Sequence, residues 1–380
     1  MTEDAPAYAV LAGVRALRAA GYEPWVAVTG RDAYSLRSRA RAGVVEVPDP
    51  ALDRDGYVAA LGRVAQRLEV AAVLPGTEVA LVALSAARES FAPGIALGTA
   101  DPEMVRRATD KLELEPLAAA AGLATPHTML TTRAELESDG PVALPAVVKA
   151  QRTRTPTEEG GFAGSPVRRV TTPAELRQAV AAVPGDVAVV QPALDGQLTA
   201  VCGVAWRGEV IAASHQVARR IFPPGAGISA FAETVPADPT LEAGVVRLIA
   251  ELRWSGIFQA QFVRSSGTSY LIDLNPRMYG SLALAVAAGL NLPAIWADLL
   301  LERSPRVEPY RVGQRFRSEE RDLAALASAA LAGDWRTVLA VLRPRPRTTH
   351  AVGSLRDPLP LLTLGRRLGR ARRALAQGRG

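Results

Sequence analysis

Two apolar runs, residues 258–263 and 270–274, flank the polar stretch 264–269 and lead directly into Asn275-Pro276-Arg277. Runs of this length and spacing predict an antiparallel hairpin. Residues two apart on a strand share a face. Asp273 and Asn275 therefore stand side by side, and Gln261 can join them from the neighbouring strand. Hard oxygen donors carrying little charge suit Mg²⁺ held jointly with phosphate oxygens. Arg277 follows on the turn, placed for a developing phosphoryl or carboxylate charge. A similar hairpin is expected upstream, with strands 199–206 and 209–213 meeting at Arg207-Gly208.

The first hundred residues read differently. A helical pattern through Val10, Leu11, Val14 and Leu17 gives way to an apolar strand at 25–28, a short strand at 44–47, a helix over 57–68 and a strand at 70–74. This alternation predicts a parallel sheet covered by helices. The strand expected before Val10 is missing or short. In such sheets ligands gather beyond the carboxyl ends of strands. The strand at 70–74 ends at Pro75-Gly76-Thr77-Glu78, where Thr77 and Glu78 fit a helix cap and a ligand contact equally well. No glycine fingerprint for a dinucleotide follows any strand here.

Of 44 basic residues only two, Lys111 and Lys149, are lysine. In a background where Arg is the default cation, the surviving lysines mark positions where a wide planar guanidinium does not serve. A narrow pocket for phosphate oxygens is such a position. Asp110-Lys111 opens a helix over 112–121, and Lys149 lies on a strand over 146–150. The polar stretch 151–166 is expected to be a mobile loop.

The net charge of +6 does not point to nucleic acid. Six arginines in residues 366–380 equal the whole excess, whereas a nucleic-acid binder carries its basic face across a folded domain. That tail spaces leucines at helical intervals and is expected to dock on its own protein or on a partner; it would also suit an acidic surface. No apolar run is long enough to span a membrane. A single cysteine, Cys202, fits a reducing cytoplasm and a small buried hydrophobe. His127, His215 and His350 are too scattered for a zinc site, although His215 could face an acceptor pocket beside Arg219.

The hairpin with its Asp-Leu-Asn-Pro-Arg run, together with Asp110-Lys111, Pro145-Ala-Val-Val-Lys149 and Ala288-Gly-Leu-Asn-Leu-Pro293, resembles the ATP-grasp superfamily over about residues 70–300. The resemblance is greatest to the branch that looks like one half of carbamoyl-phosphate synthetase, and to bacterial ATP-dependent carboligases. It implies an α/β fold, with α+β character in the ATP-grasp part, in three regions. These are a pre-ATP-grasp parallel-sheet domain (1–105), a two-part ATP-grasp domain with antiparallel sheets (106–190 and 191–302) and a helical extension (303–380). It implies ATP and Mg²⁺, or Mn²⁺ in its place. Lys111 and Lys149 would touch the phosphates, and Val190, Gln191, Ala193 and Leu194 would hold adenine, with Gly196 closing the connector. Gly160 and Gly161 would belong to a loop over the triphosphate. Gln261, Asp273 and Asn275 would bind the metal, Arg277 would steady the transferring group, and Arg219 would border the acceptor site.

Departures accompany the resemblance. Pro192 stands where the family often has an acid, neither Gln197 nor Leu198 can serve as a ribose acid, and Asp273 is shorter than the commoner Glu. The expected activity is an ATP-dependent ligase joining a carboxylate to an amine or similar nucleophile through an acyl phosphate. A nucleotide sensor on a decayed scaffold and an enzyme forming carboxyphosphate stay open as alternatives, as does a homodimer.

Overall fold

The computed structural model describes every residue except 6, 133–134, 136–141, 153, 157–161, 165–166, 186, 226 and 378–380, with only the backbone for 154–156, 162–164 and 371–377. The expected first strand exists but is two residues long: β1 (Thr2–Glu3) pairs in parallel with β2 (Trp25–Val28), and β2 with β3 (Gly43–Glu46). β4 (Ala72–Val73) pairs in parallel with β5 (Ala96–Leu97). The Thr2 N–H donates to the Leu74 carbonyl at 3.1 Å, so the five strands line up in the order 3-2-1-4-5. The order reverses between β1 and β4, which places a switch point at Glu3-Asp4 and Pro75-Glu78.

β6 (Met129–Thr131), β7 (Ala146–Ala150), β10 (Arg168–Val170) and β11 (Ala188–Pro192) form an antiparallel sheet in the order β10-β7-β11-β6. Helix Pro173–Ala181 covers it and starts in a capping box made by Thr172 and Glu175. Between β7 and β10, β8 (Arg154–Pro156) and β9 (Phe162–Gly164) pair as a hairpin.

The largest sheet has seven strands: β12 (Gln197–Trp206), β13 (Glu209–Phe222), β14 (Ile228–Val235), β15 (Gly256–Ser265), β16 (Thr268–Asn275), β17 (Arg315–Arg317) and β18 (Thr348–His350). They run in the order 16-15-12-13-14-17-18, antiparallel except for the last pair. The alternation of β12 and β15 divides their residues between two cores. Val201, Ala205, Phe258, Ala260 and Phe262 pack under the helices Pro102–Thr109, Lys111–Ala120 and Pro239–Glu251. Ala200, Cys202, Val204 and Ile257 pack on the other side with Met278, Tyr279 and Trp296. Gln259 and Gln261 share the face of Ile257.

Beyond its expected helices, the region after residue 303 lends β17 and β18 to this sheet. Helix Pro360–Gln377 docks on its own chain: Leu364 is buried with Leu11, Tyr34 and Phe316, and Arg367 pairs with Glu320 at 3.0 Å. Among the described residues no helix is long and apolar enough to cross a membrane.

Candidate active site

Between the four-stranded and seven-stranded sheets lie two adjoining cavities of about 340 and 230 Å³. Lys111, Lys149, Val167, Ile228, Gln261 and Asp273 line both. The larger extends along the connector after β11, past Gln191, Leu194 and Gly196, over apolar Val147, Val263 and Ile272. The smaller opens toward Tyr8, Asn275, Arg277, Tyr279 and Ser281.

Each lysine is held from its backbone outward. Asp110 caps helix Lys111–Ala120, its Oδ1 accepting from the Leu112 N–H at 3.0 Å. Its Oδ2 accepts from Gln151 Nε2 at 2.8 Å and Arg152 Nη2 at 2.9 Å, which pins the helix start to the end of β7. Lys111 thus adds a cation at the positive end of a helix dipole, an arrangement that favours an anion beside it. Lys149 is 7% exposed and donates to Gln191 Oε1 at 3.0 Å and to the Ile272 carbonyl at 2.9 Å. Burial pulls its pKa down to about 8; Asp273 opposes that shift and Lys111 adds to it.

On the facing hairpin, Gln261 lies opposite Asp273 and Gln259 opposite Asn275. Asn275 Oδ1 accepts from Arg277 Nη2 at 3.0 Å, and Arg277 also donates to the Met278 carbonyl at 3.1 Å. Arg277 Nε lies 3.5 Å from Glu78 Oε2, so the end of β4 reaches the site through an ion pair. Thr77 caps the following helix through the Ala80 N–H and donates to Asp4. One carboxylate with two amide oxygens, beside two lysines, is a donor set that fits Mg²⁺ sharing its ligands with phosphate. Among the described residues no group of three or more His, Cys, Asp or Glu could hold a metal, so a soft or all-carboxylate site has no counterpart here.

Of the candidate site residues read from the sequence, nine line these cavities: Lys111, Lys149, Gln191, Leu194, Gly196, Gln261, Asp273, Asn275 and Arg277. Gly196 is required sterically, because a Cβ there would stand 2.3 Å from the Arg264 carbonyl oxygen. The Val190 side chain is buried in the small sheet's core, and the Ala193 N–H is spent on the Pro145 carbonyl at 2.9 Å. Gly160 and Gly161 lie outside the described residues.

Arg219 borders neither cavity. It is exposed and donates to Glu233 at 3.1 Å. The register of β13 shifts on either side of Arg220, and this irregularity breaks the alternation that would have turned Arg219 inward. Its neighbours Ile221, Gly225 and Gly227 do line the larger cavity. His215 is also absent from both cavities: it is buried against Asp238 and Glu242 of another helix, and burial lowers its pKa. Sequence reasoning sought an acid at 197–198, whereas Asp195 lies on the cavity wall two residues earlier. It also passed over Gln259, although Gln259 shares the strand face of Gln261.

Comparison with known proteins agrees with this architecture. Residues 186–321 match the family described as ATP-grasp in the biosynthetic pathway with Ter operon. A search of curated proteins finds no match. An L-amino acid ligase from Bacillus licheniformis superimposes with a TM-score of 0.59 at 17% identity, covering 78% of this chain and 74% of that one. N5-carboxyaminoimidazole synthetase from Staphylococcus aureus gives 0.58 at 14% identity, covering 79% and 76%. Biotin carboxylase from Campylobacter jejuni gives 0.61 at 14% identity, covering 83% and 73%. Taken with the two antiparallel sheets and the parallel sheet before them, the match over residues 186–321 and these superpositions show an ATP-grasp fold.

Proposed function

We propose that the protein is an ATP- and Mg²⁺-dependent ligase that activates a carboxylate as an acyl phosphate for attack by an amine or similar nucleophile. The observation that carries this reading is the convergence of Lys111, Lys149, Gln261 and Asp273 on the boundary shared by two cavities. The larger cavity, with apolar Val147, Val263 and Ile272 on its walls and Gln191, Leu194 and Gly196 along its edge, would take the purine. The polyphosphate then runs toward the boundary, where the two ammonium groups meet it. Gln261, Asp273 and Asn275 would hold Mg²⁺, or Mn²⁺ in its place, and the cation supplies charge neutralisation on the phosphate oxygens.

The smaller cavity takes the carboxylate. A carboxylate oxygen attacks the γ-phosphorus, the bond to the bridging oxygen breaks, and ADP leaves. The nucleophile next adds to the acyl carbon, loses a proton and expels inorganic phosphate. Phosphoryl transfer of this kind asks the protein mainly for positioning and charge. Arg277 lines the smaller cavity and can exchange its contacts with Asn275 and Glu78 for the transferring phosphoryl oxygens. In this scheme residues 1–105 close the acceptor side, 106–302 bind nucleotide and 303–380 brace the large sheet.

The test is ADP release by purified protein over a panel of carboxylates and amines, bicarbonate included, in the presence of Mg²⁺. Lys149→Ala and Asp273→Ala should abolish the release found with a productive pair. Turnover that survives both changes would end the proposal.

A further inference from the structure

One buried amide on the hairpin has no part in the scheme above. Strand β15 carries Ile257, Gln259 and Gln261 on one face; Ile257 enters the core, while Gln259, 4% exposed, and Gln261 both line the smaller cavity. Its Oε1 accepts two hydrogen bonds, from Gln261 Nε2 at 3.1 Å and from Asn275 Nδ2 at 3.3 Å. Its own Nε2 faces Ser281 Oγ at 3.4 Å and Cys202 Sγ at 3.6 Å. Ser281 in turn exchanges hydrogen bonds with buried Gln216, at 2.8 and 3.0 Å.

A primary amide is nearly symmetric in shape but not in chemistry: one end is a pure acceptor, the other a pure donor. A cation can use only the oxygen. A shared acceptor beside Gln261 and Asn275 draws both amide nitrogens toward itself, which turns their oxygens away from Gln259. For Asn275 this is visible, because Oδ1 meets Arg277 on the cleft side. A site with one carboxylate has little charge with which to orient its other ligands, so orientation has to come from neighbouring side chains.

We propose that Gln259, anchored by Ser281 and Gln216, is a positioning residue that fixes the amide orientation of Gln261 and Asn275 and so makes the hairpin a cation site. The inference rests on the nucleotide-binding reading above. Outer partners of metal ligands typically change metal affinity by about 10–100-fold.

The full-length wild type, Gln259→Leu and Gln259→Glu are titrated with ADP by calorimetry, with and without Mg²⁺, and their unfolding midpoints are recorded. Gln259→Leu should lose about tenfold or more of the affinity gained from Mg²⁺ while keeping its metal-free affinity. Gln259→Glu retains an acceptor for both amides and should keep or increase the gain. Ser281→Ala, which removes the anchor but leaves Gln259 in place, should lose several-fold and carries the test if Gln259→Leu does not fold. An unchanged Mg²⁺ gain in Gln259→Leu, or in Ser281→Ala where that variant stands in, overturns the inference, as does an equal loss in Gln259→Glu. If wild type binds and the variants match it, this inference alone falls; if wild type binds no nucleotide, the ligase reading falls and takes this one with it.

Discussion

Lys149 gives the site a pH signature. In the free protein its ammonium is buried and its pKa is held at about 8. Polyphosphate oxygens beside it would favour the charged form and return the pKa toward that of an ordinary lysine. The sign follows directly: above pH 8 the free protein loses this proton, whereas the complex keeps it, so binding takes up a proton and weakens as pH rises. A group with pKa about 8 is roughly nine-tenths protonated at pH 7 and one-tenth at pH 9. If the bound lysine stays charged through pH 9, linkage requires affinity to fall about tenfold between those values, about 1.4 kcal/mol. Calorimetric titration with ADP and Mg²⁺, in two buffers of different ionisation enthalpy, reads both quantities. Roughly 0.9 proton per site should be taken up at pH 9 and little at pH 7. Lys149→Met should bind weakly with no such pH dependence. A flat affinity from pH 7 to 9 without proton uptake in the wild type would refute the assignment of this lysine to the phosphates.

Further outcomes follow from the same geometry. Arg277→Lys cannot span Asn275, the Met278 carbonyl and Glu78 together, and should lower ADP release by about tenfold or more with little change in nucleotide affinity, measured by steady-state kinetics. Gly196→Val drives a side chain into the Arg264 backbone and should destabilise the fold by about 1–3 kcal/mol, read by denaturant titration. Glu3 is buried at the end of β1; burial raises its pKa to about 7, against the pull of donors from Ser35, Ala7 and Tyr34. Its stabilising contribution is therefore complete below about pH 4.5 and is lost as pH rises through 7. Glu3→Gln should remove a slope worth about 3 kcal/mol between pH 4.5 and 8, seen in paired unfolding curves. Arg219→Ala loses one exposed ion pair with Glu233 and should shift stability by less than about 1 kcal/mol while leaving ADP release intact.

The legible parts of this chain were those where a local pattern has one physical meaning. The β15–β16 hairpin was readable because alternation and a polar turn leave few alternatives, and its register placed Asp273 opposite Gln261. The lysines stood out because Arg is the default cation of this sequence. What stayed hidden depends on non-local pairing. β1 is too short to signal itself and exists because Leu74 and Ala27 receive it. β17 and β18 lie in an Arg- and Pro-rich region and become strands only because β14 offers an edge. Arg219 was misplaced because an irregular register in β13 leaves no trace in hydrophobic spacing. Gln259 was invisible for a different reason: its role comes from Ser281 and Gln216, one 22 positions away and the other joined to it only through Ser281.

The central claim is that two ammonium groups and a hairpin of oxygen donors close on one polyphosphate. A crystal structure with Mg²⁺ and a non-hydrolysable ATP analogue tests it directly. The prediction is adenine against Gln191–Gly196, phosphate oxygens within hydrogen-bonding distance of Lys111 and Lys149 Nζ, and the cation between them and Asp273. Nucleotide bound in another cavity, or phosphates turned away from both lysines, would contradict it.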